Sequence, residues 1–346
     1  MEFEPIRMVC RSMPRIIMIL SLVVLASCCN RVTEPAGFSK EELENRTLYS
    51  LEKVNEYPLY IMTYYGDYGF RDYLETGRQI ALGVEAKPAN TWGCTCFSGL
   101  KNEKCRILGR NFDWPEQSIP LLLFTDPPEG FASVSVVDLG FFGYTRDSLP
   151  DLREKRENLL NTPWLPFDGL NEKGVAIGMM AIPHAVSPYD AEKITIGEIE
   201  MIRLVLDYAE NLGHAISLVR DYNIRMEQPP IHYLIADRSG KSAIIEFHDG
   251  EMNIIRNTGP WQVSTNFIFS ELEDPFLAGC WRFNTACSIL GANGGDVNSS
   301  STMDILQSVA NENTNWSVVY NMSSGDITIA TGREFTNTLQ YNLNDE

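Results

Sequence analysis

Cys94 is the residue around which chemistry can be built. It sits in Gly93-Cys94-Thr95-Cys96-Phe97, and a second apolar run ends in Arg110-Asn111-Phe112-Asp113-Trp114. A thiolate attacks carbonyl carbon, but an ordinary thiol is largely protonated at neutral pH and needs a base. A cysteine that begins a chain carries its own base, because an α-amino group titrates at about 7.7–8.0. Cys94 is internal, so this route requires the Gly93–Cys94 bond to be cut. Gly93 is small and leaves the sulfur room to approach the preceding carbonyl. Arg110 and Asp113 fall at the end of what reads as the partner strand. There a guanidinium favours the thiolate and a carboxylate can hold the amine. From residue types alone the other reading stays open: Cys94 and Cys96 as strand residues of the core, Arg110 to Asp113 as a surface ion pair. Cys96, two residues on, points to the same face as Cys94.

The elements that must position these residues read as strands, then two helices, then strands again. Ser39-Lys40-Glu41-Glu42 fits a capping box opening a charged helix to about Val54. Tyr57–Tyr65 reads as a strand, and 71–93 as a link. Cys94–Leu100 and Cys105–Gly109 read as a hairpin around Lys101-Asn102-Glu103-Lys104, with further strands at Leu121–Thr125 and Ala132–Leu139, and the turn Gly169–Gly174 feeds the apolar run Val175–Ile182. Gly197–Asn211 carries Ile199, Ile202, Val205, Leu206 and Ala209 at helical spacing, and His214–Tyr222 follows as a second helix. His232–Ala236 and Ser242–Phe247 flank the turn Asp237-Arg238-Ser239-Gly240. Val263–Phe269 reads as a strand, 276–290 and Thr302–Asn311 as helices, and Trp316–Tyr320 with Asp326–Thr331 as a closing hairpin. This order predicts an α+β fold of stacked antiparallel sheets.

The chain has 346 residues, enough for one large domain, and a net charge of −18. That charge argues against a nucleic-acid partner, which needs clustered Lys and Arg. Arg7, Arg11 and Arg15 precede the apolar run Ile16–Ala26, which has the length of a signal segment and is too short to span a bilayer. The run ends Leu25-Ala26-Ser27-Cys28 and resembles a bacterial lipobox. The expectation is a signal peptide over 1–27, lipidation at Cys28, a membrane partner through that anchor, and a place in the bacterial cell envelope. Cys29 in the next position favours the outer membrane. Residues 28–93 then form a tether and small N-terminal segment, open to release by cleavage before Cys94, and 94–346 the main domain. Five of the eight cysteines remain in the body: Cys94, Cys96, Cys105, Cys280 and Cys287. An odd number leaves at least one free thiol. Cys280 and Cys287 are open to pairing with each other, with Cys96 or with Cys105, or to staying free. The four histidines, His184, His214, His232 and His248, show no metal-ligand spacing. No metal or cofactor is expected.

Cys94-Thr95-x-Phe97 with Gly109-Arg110-Asn111-Phe112-Asp113-Trp114 resembles the choloylglycine hydrolase family, which includes bile salt hydrolases and penicillin V acylases. N-acylethanolamine acid amidase and acid ceramidase are relatives with the same opening. Gly169-Leu170-Asn171-Glu172-Lys173-Gly174, His232 to Gly240, Ser264-Thr265-Asn266 and Trp281-Arg282-Phe283 fall in the family's order. The resemblance spans roughly Cys94 to Gly332. It implies an N-terminal-nucleophile hydrolase with an αββα sandwich that cleaves linear amide C–N bonds. Carried over residue by residue, Cys94 is nucleophile and, through its freed amine, base. Arg110 and Asp113 orient and tune it. Asn266 donates its side-chain amide to the oxyanion, and Arg282 completes the polar cluster.

Two departures matter. The long stretch before Cys94 is more like the amidase and ceramidase, where autocleavage gives two chains. Ala181, counted from the Gly169 turn, falls where the family has an Asn or Tyr helping the oxyanion hole, which puts bile salt hydrolysis in doubt. The expected substrate is a small linear N-acyl amide, and the chain is open to oligomer formation. Two rival readings are an acyltransferase passing the same thioester to an amine, and a catalytically silent surface lipoprotein that binds an acyl ligand.

Overall fold

The structure, a computed structural model, describes residues 37–78, 93–150, 156–227 and 229–345. The signal segment and Cys28 lie outside the described residues. In chain order come helix α1 (Lys40–Tyr49), strands β1 (Glu52–Lys53) and β2 (Tyr60–Tyr64), and helix α2 (Phe70–Thr76). Strands β3 (Gly93–Gly99), β4 (Ile107–Asp113), β5 (Pro120–Thr125), β6 (Ser133–Asp138), β7 (Asp168–Asn171), β8 (Val175–Ala181) and β9 (Thr195–Gly197) follow. Helices α3 (Glu200–Tyr208) and α4 (Leu212–Arg220) lead into β10 (Asn223–Arg225), β11 (Ile231–Asp237), β12 (Ser242–His248), β13 (Glu251–Arg256) and β14 (Trp261–Ser264). Helices α5 (Trp281–Ala292) and α6 (Ser299–Ser308) precede β15 (Thr314–Asn321), β16 (Asp326–Thr331) and β17 (Leu339–Asn342).

Two sheets face each other. One has nine strands in the order β1-β2-β5-β6-β7-β8-β11-β12-β13, the other six in the order β14-β3-β4-β15-β16-β17. Helix α3 covers the first and helices α5 and α6 the second, giving the α+β, four-layer αββα arrangement. Pairing within the two sheets is antiparallel except between β2 and β5, which run parallel. Because β3 and β4 lie between the facing sheet and the helices, every residue of both strands is buried. This is why neither shows the polar–apolar alternation of a half-exposed strand.

Several described residues ahead of Cys94 are built into this core. Tyr60 and Met62 of β2 are buried against β5, and the Tyr68 hydroxyl donates to Asp207 of α3 at 2.6 Å. Helix α1 starts at Ser39 with the capping box to Glu42 that its sequence predicts, and ends at Tyr49, short of Val54. Residues read as a link contain helix α2, closed at both ends by left-handed glycines, Gly69 and Gly77. Strand β13 is absent from the sequence reading, although Asp249-Gly250 marks its turn. Both residues have positive φ, 53° and 77°, as a two-residue hairpin of this hand requires. The strand expected over Val263–Phe269 stops at Ser264, so Asn266 lies beyond its end. All five body cysteines are free thiols, so none of the pairings left open by the sequence forms.

Candidate active site

The hairpin β3–β4 brings the first pair of helpers to Cys94, with one adjustment. The sequence ends the second strand at Gly109, whereas β4 continues through Asp113, so Arg110 and Asp113 are strand residues. Cys94 pairs with Phe112, Cys96 with Arg110, and Gly93 with Asp113. Pleating therefore sends the helpers to opposite faces. Cys94, Cys96 and Arg110 face the nine-stranded sheet, while Asp113 shares the helix-side face with Gly93 and Thr95.

Between the sheets, Arg110 is fully buried and every arm of its guanidinium is used. Nε and Nη2 donate to the Met179 carbonyl at 3.2 and 3.0 Å, and Nη2 lies 3.9 Å from Cys94 Sγ. Nη1 forms an ion pair with Asp168 of β7. Asp168 also accepts from the Tyr320 hydroxyl and from Trp316 Nε1, the latter at 3.3 Å. The guanidinium stands over the Phe112 ring, 5.1 Å from its centroid. Gly178 of β8 permits this packing: a Cβ there would meet Arg110 Cδ and Cys96 Sγ at 2.9 Å each.

On the helix side, Asp113 accepts from Thr314 Oγ1 at 2.6 Å and from Asn311 Nδ2 at 2.7 Å, with Arg282 Nη1 at 3.6 Å. A bulge in β15 between Thr314 and Trp316 sets Thr314 opposite Asp113. Arg282, on the first turn of α5, donates to the Cys94 carbonyl, to Thr95 Oγ1 at 3.1 Å and to Asn266 Oδ1 at 2.9 Å. Asn266 Oδ1 also accepts the Cys94 backbone N–H at 2.7 Å. The Asn266 amide points the other way, donating to the Ala181 carbonyl at 2.7 Å. Two donors on one side and one acceptor on the other fix its orientation.

Thus Cys94, Arg110, Asp113, Asn266 and Arg282 meet at one point. Arg110 approaches the sulfur, and Arg282 and Asn266 grip the backbone on either side of Cys94. The Asn266 amide, expected to face an oxyanion, is in this arrangement engaged with Ala181. The sequence reading missed Asp168, Thr314 and Asn311. Asp168 immediately precedes the Gly169–Gly174 turn and was within reach. Nothing near Asn311 or Thr314 in the sequence marks them. That turn and the one after Ala236 prove to be scaffolding. Asn171 Nδ2 donates to the carbonyls of Leu206 and Ala209 at the end of α3, and Asp237 Oδ2 accepts from Leu212 N at the start of α4.

The electrostatics follow from burial. Desolvation pushes the Cys94 thiol up, against Arg110, the Asp113 backbone N–H and Arg282, which favour the thiolate. Cys96 is pushed up further, again by burial. Asp113 is raised to about 6, chiefly by burial and in spite of Thr314, Arg282, Asn311 and Arg110. A thiol held protonated, beside a cation that favours its anion, needs only a nearby base to become a nucleophile.

Residues 94–268 match the family model described as linear amide C-N hydrolases, choloylglycine hydrolase family. Among solved structures, a mutant conjugated bile acid hydrolase from Clostridium perfringens superposes with a TM-score of 0.52 at 17% identity, over 73% of this chain and 93% of that one. Penicillin V acylase from Agrobacterium tumefaciens gives 0.51 at 18% identity, over 72% and 86%. A search of curated protein sequences found no match. The fold is that of the N-terminal-nucleophile hydrolases. Within that class, the chain belongs to the choloylglycine hydrolase family of linear amide C–N hydrolases.

Proposed function

We propose that this protein hydrolyses a linear N-acyl amide through a Cys94 thioester, after cleavage of its own Gly93–Cys94 bond. The observation that carries the reading is the three-point hold on Cys94: Asn266 on its nitrogen, Arg282 on its carbonyl and Arg110 beside its sulfur. A strand cysteine with a purely packing role does not need three polar side chains from three separate segments.

In the intact chain Cys94 N is an amide and cannot act as a base. A Cβ at Gly93 would lie 3.5 Å from Asp113 Oδ2 and 3.4 Å from Arg282 Nη2, so the bond to be cut runs beside both. Attack of Cys94 Sγ on the Gly93 carbonyl, expulsion of the Cys94 nitrogen with a proton, and hydrolysis of the resulting thioester release a free amine. Asn266 Oδ1 then orients that amine, and the Asp113 carboxylate balances its charge. In turnover the amine takes the thiol proton as sulfur attacks the substrate carbonyl. The tetrahedral intermediate collapses, the proton passes to the leaving amine, and the acyl thioester remains. Water, deprotonated by the same α-amine, attacks the thioester and releases the acid. The Asn266 amide exchanges the Ala181 carbonyl for the oxyanion. Because position 181 offers no side-chain donor, Asn266 carries more of that charge than it would with a helper.

After the cut, strands β1 and β2 stay in the nine-stranded sheet as part of a second chain, since β2 and Tyr68 are built into the core. The basic and apolar leader ending at Cys28 supports a lipid-anchored place in the bacterial cell envelope, on the outer membrane.

The test is intact mass and N-terminal sequencing of purified protein beside Cys94→Ala, with amide hydrolysis assayed on a panel of N-acyl amides. A large chain beginning at Cys94 in the wild type and absent in the variant is the expected result. An uncut wild type of full activity overturns the free-amine base, and activity surviving in Cys94→Ala overturns the nucleophile.

A further inference from the structure

Three side chains far apart in sequence converge outside the Cys94 cluster. His184 follows the end of β8, His248 ends β12, and Glu271 lies in a short 3-10 helix, Phe269–Glu271, that follows Asn266. His184 Nε2 is 2.7 Å and His248 Nε2 3.5 Å from the same oxygen, Glu271 Oε1, and one ligand atom from each residue falls within 4.8 Å of the others. Asp249 Oδ2, on the hairpin turn, stands 3.3 Å from His248 Nε2.

Each arm is held by backbone or buried contacts of its own. Val186 N donates to the Phe247 carbonyl and Gly250 N to the Val186 carbonyl, both at 3.0 Å, which locks the segment carrying His184 to the turn carrying His248. The buried Glu246 carboxylate accepts from Phe269 N at 2.8 Å and Ser270 N at 3.0 Å, and so fixes the short helix that carries Glu271. Glu246 Oε1, which takes the Phe269 bond, is also paired with His232 Nδ1 at 3.0 Å, and His232 Nε2 lies 2.7 Å from the Thr265 carbonyl. The three donors are thus brought together by built structure. The side chains of His184 and Glu271 are 55% and 40% exposed, which leaves them free to turn onto an ion and leaves the ion a way in.

We propose that His184, His248 and Glu271 form a binding site for a divalent transition metal of the zinc type, with Asp249 or water as fourth ligand. Two imidazoles and a carboxylate are the donor set that borderline divalent ions accept, at metal–ligand distances of about 2.0–2.2 Å. The site is separate from Cys94 but is joined to its machinery by two short segments. His184 lies three residues beyond Ala181, whose carbonyl holds the Asn266 amide, and Glu271 five residues beyond Asn266 itself. A bound ion therefore staples together the two segments whose inner ends meet in the Asn266–Ala181 hydrogen bond.

The experiment is titration of the chelator-stripped full chain with Zn²⁺ by calorimetry and with Co²⁺ by absorbance, for wild type, His184→Ala and Glu271→Gln. The expected result is one ion per chain, a cobalt spectrum without a thiolate charge-transfer band, and affinity lowered roughly 10–100-fold or more in each variant. At one zinc concentration, just above that which saturates the wild type, the thermal midpoint of the wild type should rise more than that of either variant. Equal midpoints of the three proteins in chelator show that the substituted residues are not needed for folding. Absence of a stoichiometric ion, a thiolate band, or binding unchanged in both variants overturns the site.

Discussion

Asp168 and Arg110 form a buried ion pair that crosses from one sheet of the sandwich to the other, with both side chains at 0% exposure. Arg110 belongs to β4 of the six-stranded sheet and Asp168 to β7 of the nine-stranded sheet. The guanidinium 3.9 Å from the Cys94 sulfur is thus aimed by a carboxylate from the opposite layer. Removing one partner of such a pair strands a charge out of water.

Asp168→Ala is expected to destabilise the protein by about 3–5 kcal/mol, read from urea unfolding. Asp168→Asn, which keeps one acceptor oxygen, for Tyr320 or for Trp316 but not for both, should cost less. Both should slow formation of the chain beginning at Cys94, because Arg110 is left without its guide. Equal stability of Asp168→Ala and wild type would show that the pair carries no weight.

Gly178→Ala tests the same contact from its third side. The added methyl meets Arg110 Cδ and Cys96 Sγ at 2.9 Å. Overpacking of this kind typically costs about 1–3 kcal/mol. The guanidinium has to move to relieve it, so amide hydrolysis should fall more than stability alone explains. Cys96→Ala in the same background makes room and should recover part of both losses. Failure of that recovery would place the strain elsewhere.

Arg282 ties together the Cys94 carbonyl, Thr95, Asn266 and Asp113. Hydrogen bonds to a charged group are worth about 1.5–3 kcal/mol, so Arg282→Ala should lower kcat/KM by roughly 10–100-fold. Arg282→Lys should recover little, since an ammonium lacks the planar fork that reaches several acceptors at once. A lysine variant of wild-type rate would reduce Arg282 to a point charge.

Asp113 provides a pH signature. Burial raises its carboxyl from 3.8 to about 6, so the folded chain binds this proton more tightly than the unfolded chain. The associated stability is complete below about 3.8 and is lost as pH rises through about 6. Relative to wild type, Asp113→Asn should therefore gain stability between about pH 4 and pH 7, on the order of 1–3 kcal/mol. Urea midpoints at the two pH values measure this difference. In the proposed mechanism the same ionisation supplies the carboxylate that balances the freed amine, so activity should fall as pH drops below about 6 in the wild type. A difference in midpoint that is independent of pH would remove Asp113 as the titrating group.

Much of the site was legible in the sequence because its center is local. A hairpin of two apolar runs places Arg110 and Asp113 beside Cys94 whatever the rest of the chain does. The residues taken from the family pattern, Asn266 and Arg282, also reach Cys94. Which face each helper occupies depended on β4 running four residues past Gly109, and this was not legible. Both faces of β3 and β4 are buried, so their hydropathy carries no period from which to read their extent.

Composition, the capping box at Ser39, the helical spacing of α3 and the turn chemistry at Asp237-Arg238-Ser239-Gly240 depend on neighbours along the chain. The sequence by itself therefore determined the α+β class and the broad succession of strands, two central helices and strands again, and it singled out Cys94 as the candidate nucleophile. Asp168, Asn311, Thr314 and the Asn266–Ala181 hydrogen bond join residues that meet only when two sheets stack or a strand bulges. The meeting of His184, His248 and Glu271 is of the same kind. Only the tertiary structure decided these, because the distances that make a carboxylate a guide or a ligand are set by packing between layers, and spacing along the chain does not encode them.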